Sequence, residues 1–413
     1  MTIGIRQLPL TRLHVRTVGI RKNEKPYASR SQRFCYDVRS MSGYLRALKS
    51  RIRIAVIYGG DKDAADSVIY RTVNPRPWKS YKAVAQDICT TLGKYGFQHV
   101  TLLPEDMHLG QRLKEEGIHL AWLNTAGVQG YNSVAHAAAM LEMLGIPYIG
   151  HNPHDAALLD NKYSFKRMLQ SLGIKTAPYL LWHPSGGELD VRGESFRTAF
   201  GDYRGRFVVK PVSGRASLHI AVVESEEHVA QAARNVFRAT HNAVLVEKYL
   251  PGREFCVAVC GSVTKSRGRF SQSPQPFAFS AVERSLEHYE LIFTSMDVKA
   301  ITDSRIRPID ENERALKEQL LQMARQLYRE LNLGYLVRLD VRADAEGVLH
   351  VLEANPKPDL KCSTDGVGSV IAIGLREYAL DYDDLILSLL ADRLHHLFTY
   401  NPDCVAHLVA MLA

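Results

Sequence analysis

The sequence lacks the long apolar runs and the paired cysteines that mark several classes of protein. No apolar stretch approaches the roughly 18 residues that a membrane-spanning helix needs. Six cysteines are scattered along the chain, and none form a Cys-x-x-Cys pair. We interpret Cys256 and Cys260, which share one face of a predicted strand, as small core residues rather than a metal-binding pair. Because free thiols suit a reducing compartment, we expect a cytoplasmic location.

The excess of basic charge is confined to the beginning of the chain. The formal net charge is +8, but residues 1–50 hold 11 Lys or Arg against 2 Asp or Glu. The remaining 363 residues therefore sum to a net charge of −1. Nucleic-acid binding by the folded body gains no support from this distribution. The partners that we expect are small molecules, with neither nucleic acid nor a membrane.

Residues 1–50 form a basic leader that we predict to be flexible. The leader is rich in Arg, contains Ser and is poor in acidic residues, which is typical of an organelle transit peptide. Three other interpretations stay open: a disordered tail, an arm that docks a partner, or a start site placed too early, with Met41 as the alternative start.

The rest of the chain predicts three units that mix helices and strands. A hydrophobic content of 46% and a charged content of 23% are ordinary for a globular protein of two or three domains. Residues 51–150 alternate strand and helix patterns, which predicts an open α/β unit with a parallel sheet. Residues 151–247 predict a small central α+β unit, and residues 248–413 predict a C-terminal α+β unit. The principal strand patterns lie at residues 53–60, 99–103, 119–124, 147–150, 206–210, 218–223, 243–247 and 254–260; the principal helix patterns lie at 80–95, 133–144, 161–172, 226–240 and 311–331.

The most informative pattern is a predicted β-hairpin over residues 336–355. Two alternating runs flank a turn at residues 344–347. With the tip at 346–347, residues whose numbers sum to 693 face each other. Asp340 is then predicted to face Glu353, and Arg338 to face Asn355. The predicted core face carries Val337, Leu339, Val341 and Leu352, and the site face also carries Leu349 and Val351.

Two carboxylates opposite each other on a sheet repel, and a hard cation between them would relieve the repulsion. Asp340, Glu353 and Asn355 offer oxygen ligands, which suit Mg²⁺ better than Zn²⁺. Arg338 beside them is suited to bidentate contact with a phosphate. The alternative is a solvated hairpin face, which the apolar residues on that face make the weaker interpretation.

Two lysines are further candidates, each with a plain alternative. Lys210 interrupts an apolar strand, where a charge is costly unless it is paired. A nucleotide phosphate next to the loop 213–217 would pair it, whereas a lysine extending from an edge strand would need no ligand. Lys162 lies in the first turn of its predicted helix, where the helix dipole disfavours a cation. A nearby phosphate would explain it, and a solvated surface lysine is the alternative.

Glu247 and Glu254 flank a turn that follows a predicted strand. Such carboxylates can accept hydrogen bonds from an adenine amino group and a ribose hydroxyl. Two surface glutamates around the Pro-Gly pair of the turn are the alternative.

The order of these motifs resembles the ATP-grasp superfamily, and within it the D-alanine–D-alanine ligase branch. The resemblance covers about residues 51–395. It rests on Asp-Asn-Lys at 160–162, Val-Val-Lys at 208–210, Val-Glu-Lys-Tyr-Leu-Pro-Gly-Arg-Glu-Phe at 246–255, Val-Arg-Leu-Asp at 337–340 and Leu-Glu-Ala-Asn-Pro at 352–356. An Arg-x-Asp…Glu-x-Asn hairpin preceded by these lysines is a specific signal. The resemblance implies an ATP-grasp fold, with a Rossmann-like N-terminal domain and two α+β domains that clamp ATP between them.

The resemblance also implies roles for individual residues. Lys162 and Lys210 would contact the ATP phosphates beside a loop that includes Ser213, and Arg338 would steady the transferred phosphoryl group. The family pattern assigns the nucleotide to Glu247, Lys248, Leu250 and Glu254, two Mg²⁺ ions (or Mn²⁺ in their place) to Asp340, Glu353 and Asn355, and the lid-loop lysine to Lys299. The implied reaction forms an acyl phosphate from a carboxylate and ATP and then an amide with an amine. A homodimer is expected at the level of the family only.

The chain departs from the family pattern where the substrates would bind. The Glu and Ser expected after the first strand are not evident. Asn124 stands where the family usually has a His, and Gln129 stands where it has an acidic residue. Asp359 stands where the family usually has a Gly after the proline at position 358. Since Asp359 would repel a carboxylate and favour a cationic amine, we expect a carboxylate–amine ligase with an acceptor other than D-alanine. The alternatives are a D-alanine–D-alanine ligase proper, a ligase acting on a peptide or protein end, and a catalytically silent ATP-binding scaffold.

Overall fold

A computed structural model describes residues 37–72, 77–287, 290–292, 305–362 and 369–412. Within these residues, no helix is long and apolar enough to cross a membrane. Short 3₁₀ turns precede or follow several of the α-helices.

The N-terminal part contains a parallel sheet, as the alternating pattern predicts. Its strands, in the spatial order β2-β1-β3-β4, are β1 (Arg53–Gly59), β2 (His99–Glu105), β3 (Leu120–Asn124) and β4 (Tyr148–Ile149). The surrounding helices are α1 (Met41–Leu48), α2 (Lys82–Lys94), α3 (Leu109–Glu115) and α4 (His136–Leu144). Gly60 follows β1 at a crowded point, because a Cβ atom there would lie 2.0 Å from the carbonyl oxygen of Glu105. The carboxyl ends of β1 and β2 therefore meet closely at the edge where ligands usually bind.

The end of the predicted leader belongs to the folded body. Helix α1 lies inside residues 1–50, and its Met41, Leu45 and Leu48 are buried. These side chains share a hydrophobic core with Ile54 of β1. Residues 41–48 are therefore part of the folded body rather than of a flexible leader, and residues 1–36 lie outside the described residues.

The central part is a small antiparallel sheet covered by helices. Its strands, in the order β5-β8-β6-β7, are β5 (Tyr179–Trp182), β6 (Phe207–Pro211), β7 (Ala221–Val223) and β8 (Val244–Lys248). The helices are α5 (Pro153–Asp160), α6 (Lys162–Ser171), α7 (Glu194–Phe200) and α8 (Val229–Thr240). Asn161 caps α6, since its side chain accepts a hydrogen bond from the Ser164 amide at 2.9 Å. This cap places Lys162 at the first residue of the helix.

The C-terminal part is a five-stranded antiparallel sheet with the order β13-β12-β9-β14-β15. Its strands are β9 (Glu254–Cys260), β12 (Phe277–Arg284), β13 (Ile306–Pro308), β14 (Val337–Ala343) and β15 (Leu349–Asn355). A separate hairpin is formed by β10 (Val263–Ser266) and β11 (Arg269–Gln272), and the helices are α9 (Arg314–Glu330), α10 (Tyr382–Tyr400) and α11 (Ala406–Val409). Cys256 and Cys260 are buried in β9, in agreement with their interpretation as core residues.

The predicted hairpin is confirmed at the residues that matter for the site. Strands β14 and β15 pair in antiparallel register. Asp340 lies opposite Glu353, and Arg338 lies opposite Asn355. The two carboxylate residues and the Arg–Asn pair therefore share one end of the sheet.

The half of the hairpin nearer the turn differs from the prediction. A bulge after Asp340 pairs Val341 with Val351 instead of Leu352. The extra residue moves side chains to the other face of β15. Val351 and Leu349 are consequently buried in the core, whereas Leu352, predicted to face the core, lines a cleft on the opposite face.

Candidate ATP and ligase site

A cleft of about 590 Å³ lies between the central sheet and the C-terminal sheet. Its lining includes the polar residues Lys210, Glu247, Lys248, Glu254, Arg284, Asp340, Arg342 and Glu353 and the apolar residues Val208, Ile220, Leu250, Ile292 and Leu352. The cleft therefore brings together seven predicted site residues that are far apart in the sequence: Lys210, Glu247, Lys248, Leu250, Glu254, Asp340 and Glu353. A mixture of apolar walls and a few converging charges is typical of a small-molecule site.

Lys210 does not lie on an edge strand, since β6 is flanked by β8 and β7. Its ammonium group lies 2.8 Å from Oε2 of Glu247 on the neighbouring strand. The other carboxylate oxygen of Glu247 lies 2.9 Å from Nζ of Lys166, a fully buried residue of α6. In this structure Glu247 thus balances two buried lysines, and its assignment to the adenine amino group stays a prediction.

The pKa values of these groups follow from burial and mutual charge. Burial alone would raise the pKa of Glu247, but the ammonium groups of Lys166 and Lys210 outweigh it and lower that pKa. Burial lowers the pKa of Lys166, whereas Glu247 and Glu353 outweigh burial and raise the pKa of Lys210. Lys210 therefore remains a cation at the cleft, where it is suited to contact a phosphate.

A second recess adjoins the loop 213–217 and Lys162. Nζ of Lys162 lies 3.3 Å from Oε2 of Glu353, so the two predicted ligands of phosphate and metal are neighbours. The recess is lined by loop residues from Gly214 to Leu218, while Ser213 instead hydrogen-bonds through its hydroxyl with Asp160. The loop as a whole, rather than the Ser213 side chain, therefore faces the recess.

Asp340 is held by two arginines. Arg338 donates to both of its carboxylate oxygens, at 2.8 and 3.0 Å. Arg284, at the end of β12, donates to Asp340 Oδ2 and to Glu254 Oε1, each at 3.0 Å. Burial alone would raise the pKa of the Asp340 carboxyl, but Arg284 and Arg338 lower it to about 2. Asp340 is therefore ionised at any physiological pH.

Glu254 is held on its other side by Arg342, whose guanidinium lies 3.3 Å from Glu254 Oε2. Arg342 also donates to the Tyr249 hydroxyl at 3.0 Å. Polar contacts thus run along the cleft from Tyr249 through Glu254 to Asp340. They fix the carboxylate that is predicted to bind ribose relative to the carboxylate that is predicted to bind metal.

The hairpin residues fit a hard divalent cation. Asp340 and Glu353 supply ionisable oxygen ligands opposite each other, and Asn355 supplies an amide oxygen one pair further along. The Asn355 side chain forms no hydrogen bond within the described part of the chain, and its buried Nδ2 has no partner there. Nowhere in the described residues, this hairpin included, is a group of three or more His, Cys, Asp or Glu side chains arranged to hold a metal, so the candidate site rests on two carboxylates and one amide.

The three predicted substrate residues line neither the cleft nor the second recess. Each of them forms hydrogen bonds with another segment of the same chain. Asn124 is buried and donates to the Tyr81 carbonyl at 3.1 Å. Gln129 donates to one carbonyl and accepts from one amide of the segment 70–72. The Asp359 carbonyl accepts a hydrogen bond from Ser369 at 2.6 Å. The substrate roles of these residues stay predictions, and Lys299 lies outside the described residues.

Sequence reasoning missed several charged residues of the site, chiefly Lys166, Arg284 and Arg342. Lys166 follows Lys162 by one helical turn and sits among the apolar positions of α6, which was a readable signal. Arg284 ends an apolar strand, as Lys210 does, but its partners are 30 and 56 residues away. No local pattern identifies such a pairing.

Comparisons with known proteins identify the family of the chain. The family model described as the D-ala D-ala ligase C-terminus matches residues 168–391, more than half of the chain. The D-alanine–D-alanine ligase of Pseudomonas entomophila is 29% identical over 341 residues, which cover 82% of this chain and 92% of the relative. An uncharacterized protein, y4sG, of Sinorhizobium fredii is 25% identical over 73% of this chain and 85% of its own length.

Solved structures show the same fold. The D-alanine–D-alanine ligase of Bacillus anthracis in complex with ATP has a TM-score of 0.59 at 19% identity, covering 83% of this chain and 97% of its own. The VanG D-Ala:D-Ser ligase of Enterococcus faecalis has a TM-score of 0.58 at 15% identity, covering 83% and 99%. The predicted ATP-grasp fold is thereby confirmed. The chain belongs to the D-alanine–D-alanine ligase family of ATP-grasp enzymes, which are ADP-forming carbon–nitrogen ligases.

Proposed function

We propose that this ligase joins the carboxylate of one amino-acid-like substrate to the amine of another, with an acceptor other than D-alanine. The proposed acceptor rests on one observation, which is the presence of charged residues in the loop after Asn355. Lys357 and Asp359 lie there on either side of Pro358. A carboxylate at position 359 repels an acceptor carboxylate and attracts an additional cationic group.

The reaction that we propose has two steps. An oxygen of the donor carboxylate attacks the γ-phosphorus of ATP and ADP leaves, which gives an acyl phosphate. The neutral amine of the acceptor then attacks the acyl carbon, phosphate leaves with the acyl C–O bonding pair, and the amine loses a proton to form the amide. The overall products are the amide, ADP and phosphate.

The residues of the cleft suit these steps. Lys162 and Lys210 would neutralise charge on the ATP phosphates, and Arg338 would hold the transferred phosphoryl group by bidentate contact. Magnesium, held by Asp340, Glu353 and Asn355, would supply further neutralisation of the phosphate oxygens. Lys248 and Leu250, which line the cleft, would bind the adenine through their backbone, and Glu254 the ribose.

An acceptor screen tests the proposal. Purified chain is incubated with ATP, Mg²⁺ and pools of amino acids and polyamines; ADP and AMP release are measured, and products are identified by mass spectrometry. We expect ADP release that depends on an amine with a second cationic group. An Asp359→Gly variant should lose that preference while keeping ATP turnover, and an Asp340→Asn/Glu353→Gln variant should be inactive.

The main alternative is a D-alanine–D-alanine ligase, which the name of the Pseudomonas entomophila relative favours. Efficient formation of D-alanyl-D-alanine from D-alanine alone would establish this alternative and refute the proposed acceptor. Nucleotide binding without turnover of any pool would instead favour a protein-modifying ligase or a silent scaffold. Release of AMP would contradict the acyl phosphate.

A further inference from the structure

Residues 77–81 connect parts of the structure that flank the cleft; we call them the connecting segment. The Gly59 amide, at the end of β1, donates to the carbonyl of Ser80 at 2.8 Å. Asn124, at the end of β3, donates to the carbonyl of Tyr81 at 3.1 Å. The connecting segment is therefore tied to the carboxyl ends of two parallel strands.

Arg215 joins this segment to the loop 213–217, which faces the second recess, where we expect the ATP phosphates to bind. Nε of Arg215 donates to the Pro77 carbonyl at 2.9 Å, and Nη2 donates to the Trp78 carbonyl at 3.2 Å. Arg215 also lines the recess, together with Lys162 and Glu353. A guanidinium with two backbone acceptors has a fixed orientation, so a movement of the loop 213–217 is transmitted to the connecting segment.

The other end of the connecting segment contacts residues 356–360, the loop after Asn355 that we call the acceptor loop. Nζ of Lys357 lies 3.2 Å from the centroid of the Tyr81 ring, a close cation–π contact. Lys357 follows the predicted metal ligand Asn355 by two residues. The Tyr81 ring therefore touches the chain where the nucleotide side of the site passes into the acceptor side.

Strained backbone lies at Tyr81 and in the residues that follow Arg215. Tyr81 has a φ of 57°, and Ala216, Ser217 and His219 of the segment 213–219, which we call the phosphate loop, have values of 63°, 52° and 60°. Residues with a Cβ atom rarely adopt this left-handed region, and they keep it only where surrounding contacts hold them. The strain indicates that the loop and the segment are fixed in one arrangement by the contacts between them.

We propose that Arg215 is a positioning residue which couples nucleotide binding to the order of the acceptor loop through the connecting segment. A nucleotide phosphate in the recess fixes the loop, Arg215 fixes the segment, and the Tyr81 ring fixes Lys357. This inference rests on the proposed function, because it takes the nucleotide to be ATP and residues 356–360 to be the acceptor loop.

Hydrogen exchange of the full chain, with and without a non-hydrolysable ATP analogue and Mg²⁺, tests the coupling. In the unaltered chain we expect the analogue to slow exchange in residues 213–219, 77–81 and 355–362. In Arg215→Ala, slowing should persist in 213–219 and fall by at least half in 355–362. Arg215→Lys, which can still donate to one carbonyl, should recover part of it. Arg206→Ala, which removes only an exposed ion pair with Glu224, is the matched control and should behave like the unaltered chain.

A second variant approaches the coupling from its other end. Tyr81→Leu keeps an apolar side chain but removes the ring below Lys357. With the analogue bound, it should retain slowing in 77–81 and lose it in 355–362. This variant decides the question if Arg215→Ala binds no nucleotide.

The outcomes separate the two proposals. If the unaltered chain binds no nucleotide, the proposed function and the coupling both fail. If nucleotide binds and the slowing in 355–362 is undiminished in Tyr81→Leu and in every nucleotide-binding Arg215 variant, the coupling alone is overturned. Loss of slowing in 355–362 with retained binding, together with partial recovery in Arg215→Lys, supports it.

Discussion

Arg284 and Asp340 lie on strands that flank β9, and a hydrogen bond of 3.0 Å joins their side chains across it. Arg284 donates with the same Nη1 atom to Glu254. All three side chains are buried. Because a buried charge is costly without a partner, the Arg284 guanidinium is needed as a hydrogen-bonding partner for both carboxylates in the cleft.

We therefore predict a large stability loss on removal of Arg284. Arg284→Gln should lower the free energy of unfolding by roughly 3–5 kcal/mol, the range for breaking a buried ion pair by removing one partner. Arg284→Lys should also lose stability, because lysine cannot reproduce the guanidinium geometry. Its loss should be smaller than that of Arg284→Gln, because it keeps the positive charge. Urea unfolding of the purified variants measures both.

The matched control for Arg284 is Arg253, which forms ion pairs with Glu283 and Glu313 at the surface. Arg253→Gln should cost about 1 kcal/mol or less, because solvent screens exposed pairs. Equal losses for Arg253→Gln and Arg284→Gln would contradict the assigned importance of burial.

The hairpin carboxylates should control turnover. Asp340→Asn and Glu353→Gln should each lower kcat by roughly 10²–10³-fold, since each removes preorganised charge at the transferred phosphoryl group. Nucleotide binding measured without Mg²⁺ should change much less than metal-dependent turnover. Asp344→Asn, at the turn of the same hairpin, is the control. Full activity in both Asp340→Asn and Glu353→Gln would exclude the assigned metal site.

The hairpin also shows how far the sequence could predict the site. Counting from a tip at 346–347 placed Asp340 opposite Glu353, although the pairs next to the turn are shifted by one residue, as in Val341 opposite Val351. The bulge between Asp340 and Val341 offsets this shift, so the predicted register holds from Asp340 to the open end. The bulge beyond Asp340 was not predictable, because one additional residue leaves the local pattern almost unchanged. The face of Leu352 was consequently predicted wrongly, while the residues proposed for metal binding were placed correctly.

Contacts between side chains that are distant in the sequence were the second feature that the sequence could not predict. The apolar strand around Lys210 predicted that its charge needs a partner, but it did not identify Glu247 on the next strand as that partner. Arg215 lies in a polar loop, and its hydrogen bonds to the connecting segment span 137 and 138 residues. Only the fold brings these groups together, so sequence periodicity cannot specify them.

The two-lysine arrangement around Glu247 leads to a ranked prediction. Glu247→Gln leaves Lys166 and Lys210 buried without their carboxylate, and should cost roughly 3–5 kcal/mol of unfolding free energy. Lys166→Met leaves the pair of Glu247 with Lys210 intact, and should cost less, about 1–2 kcal/mol, mainly through the lost hydrogen bond to Thr176. Urea unfolding ranks the two variants. A larger loss for Lys166→Met would show that Lys166, not Glu247, is the principal stabilising member.

Glu105, at the carboxyl end of β2, should make stability depend on pH. Its carboxyl is buried, and no cation of the described residues forms an ion pair with it. Burial raises its pKa to about 7 from an unfolded value near 4.5, although Thr125 donates to it at 2.5 Å. Between these values the folded chain keeps a proton that the unfolded chain releases. Stability from this group is therefore fully present below pH 4.5 and is lost as the pH rises to about 7.

Glu105→Gln removes this dependence, since the amide does not ionise. Relative to the unaltered chain, the variant should gain roughly 2–3 kcal/mol of unfolding free energy between pH 5 and pH 8, from about 1.4 kcal/mol per pKa unit. Urea unfolding at both pH values measures the difference, which cancels contributions from other titrating groups such as Asp392, whose pKa burial raises to about 6. Glu115→Gln, at an exposed position of α3, should show no such gain. A difference that is equal at pH 5 and pH 8 would mean that Glu105 is ionised in the folded protein, with a cation or a bound ligand beside it that offsets its burial.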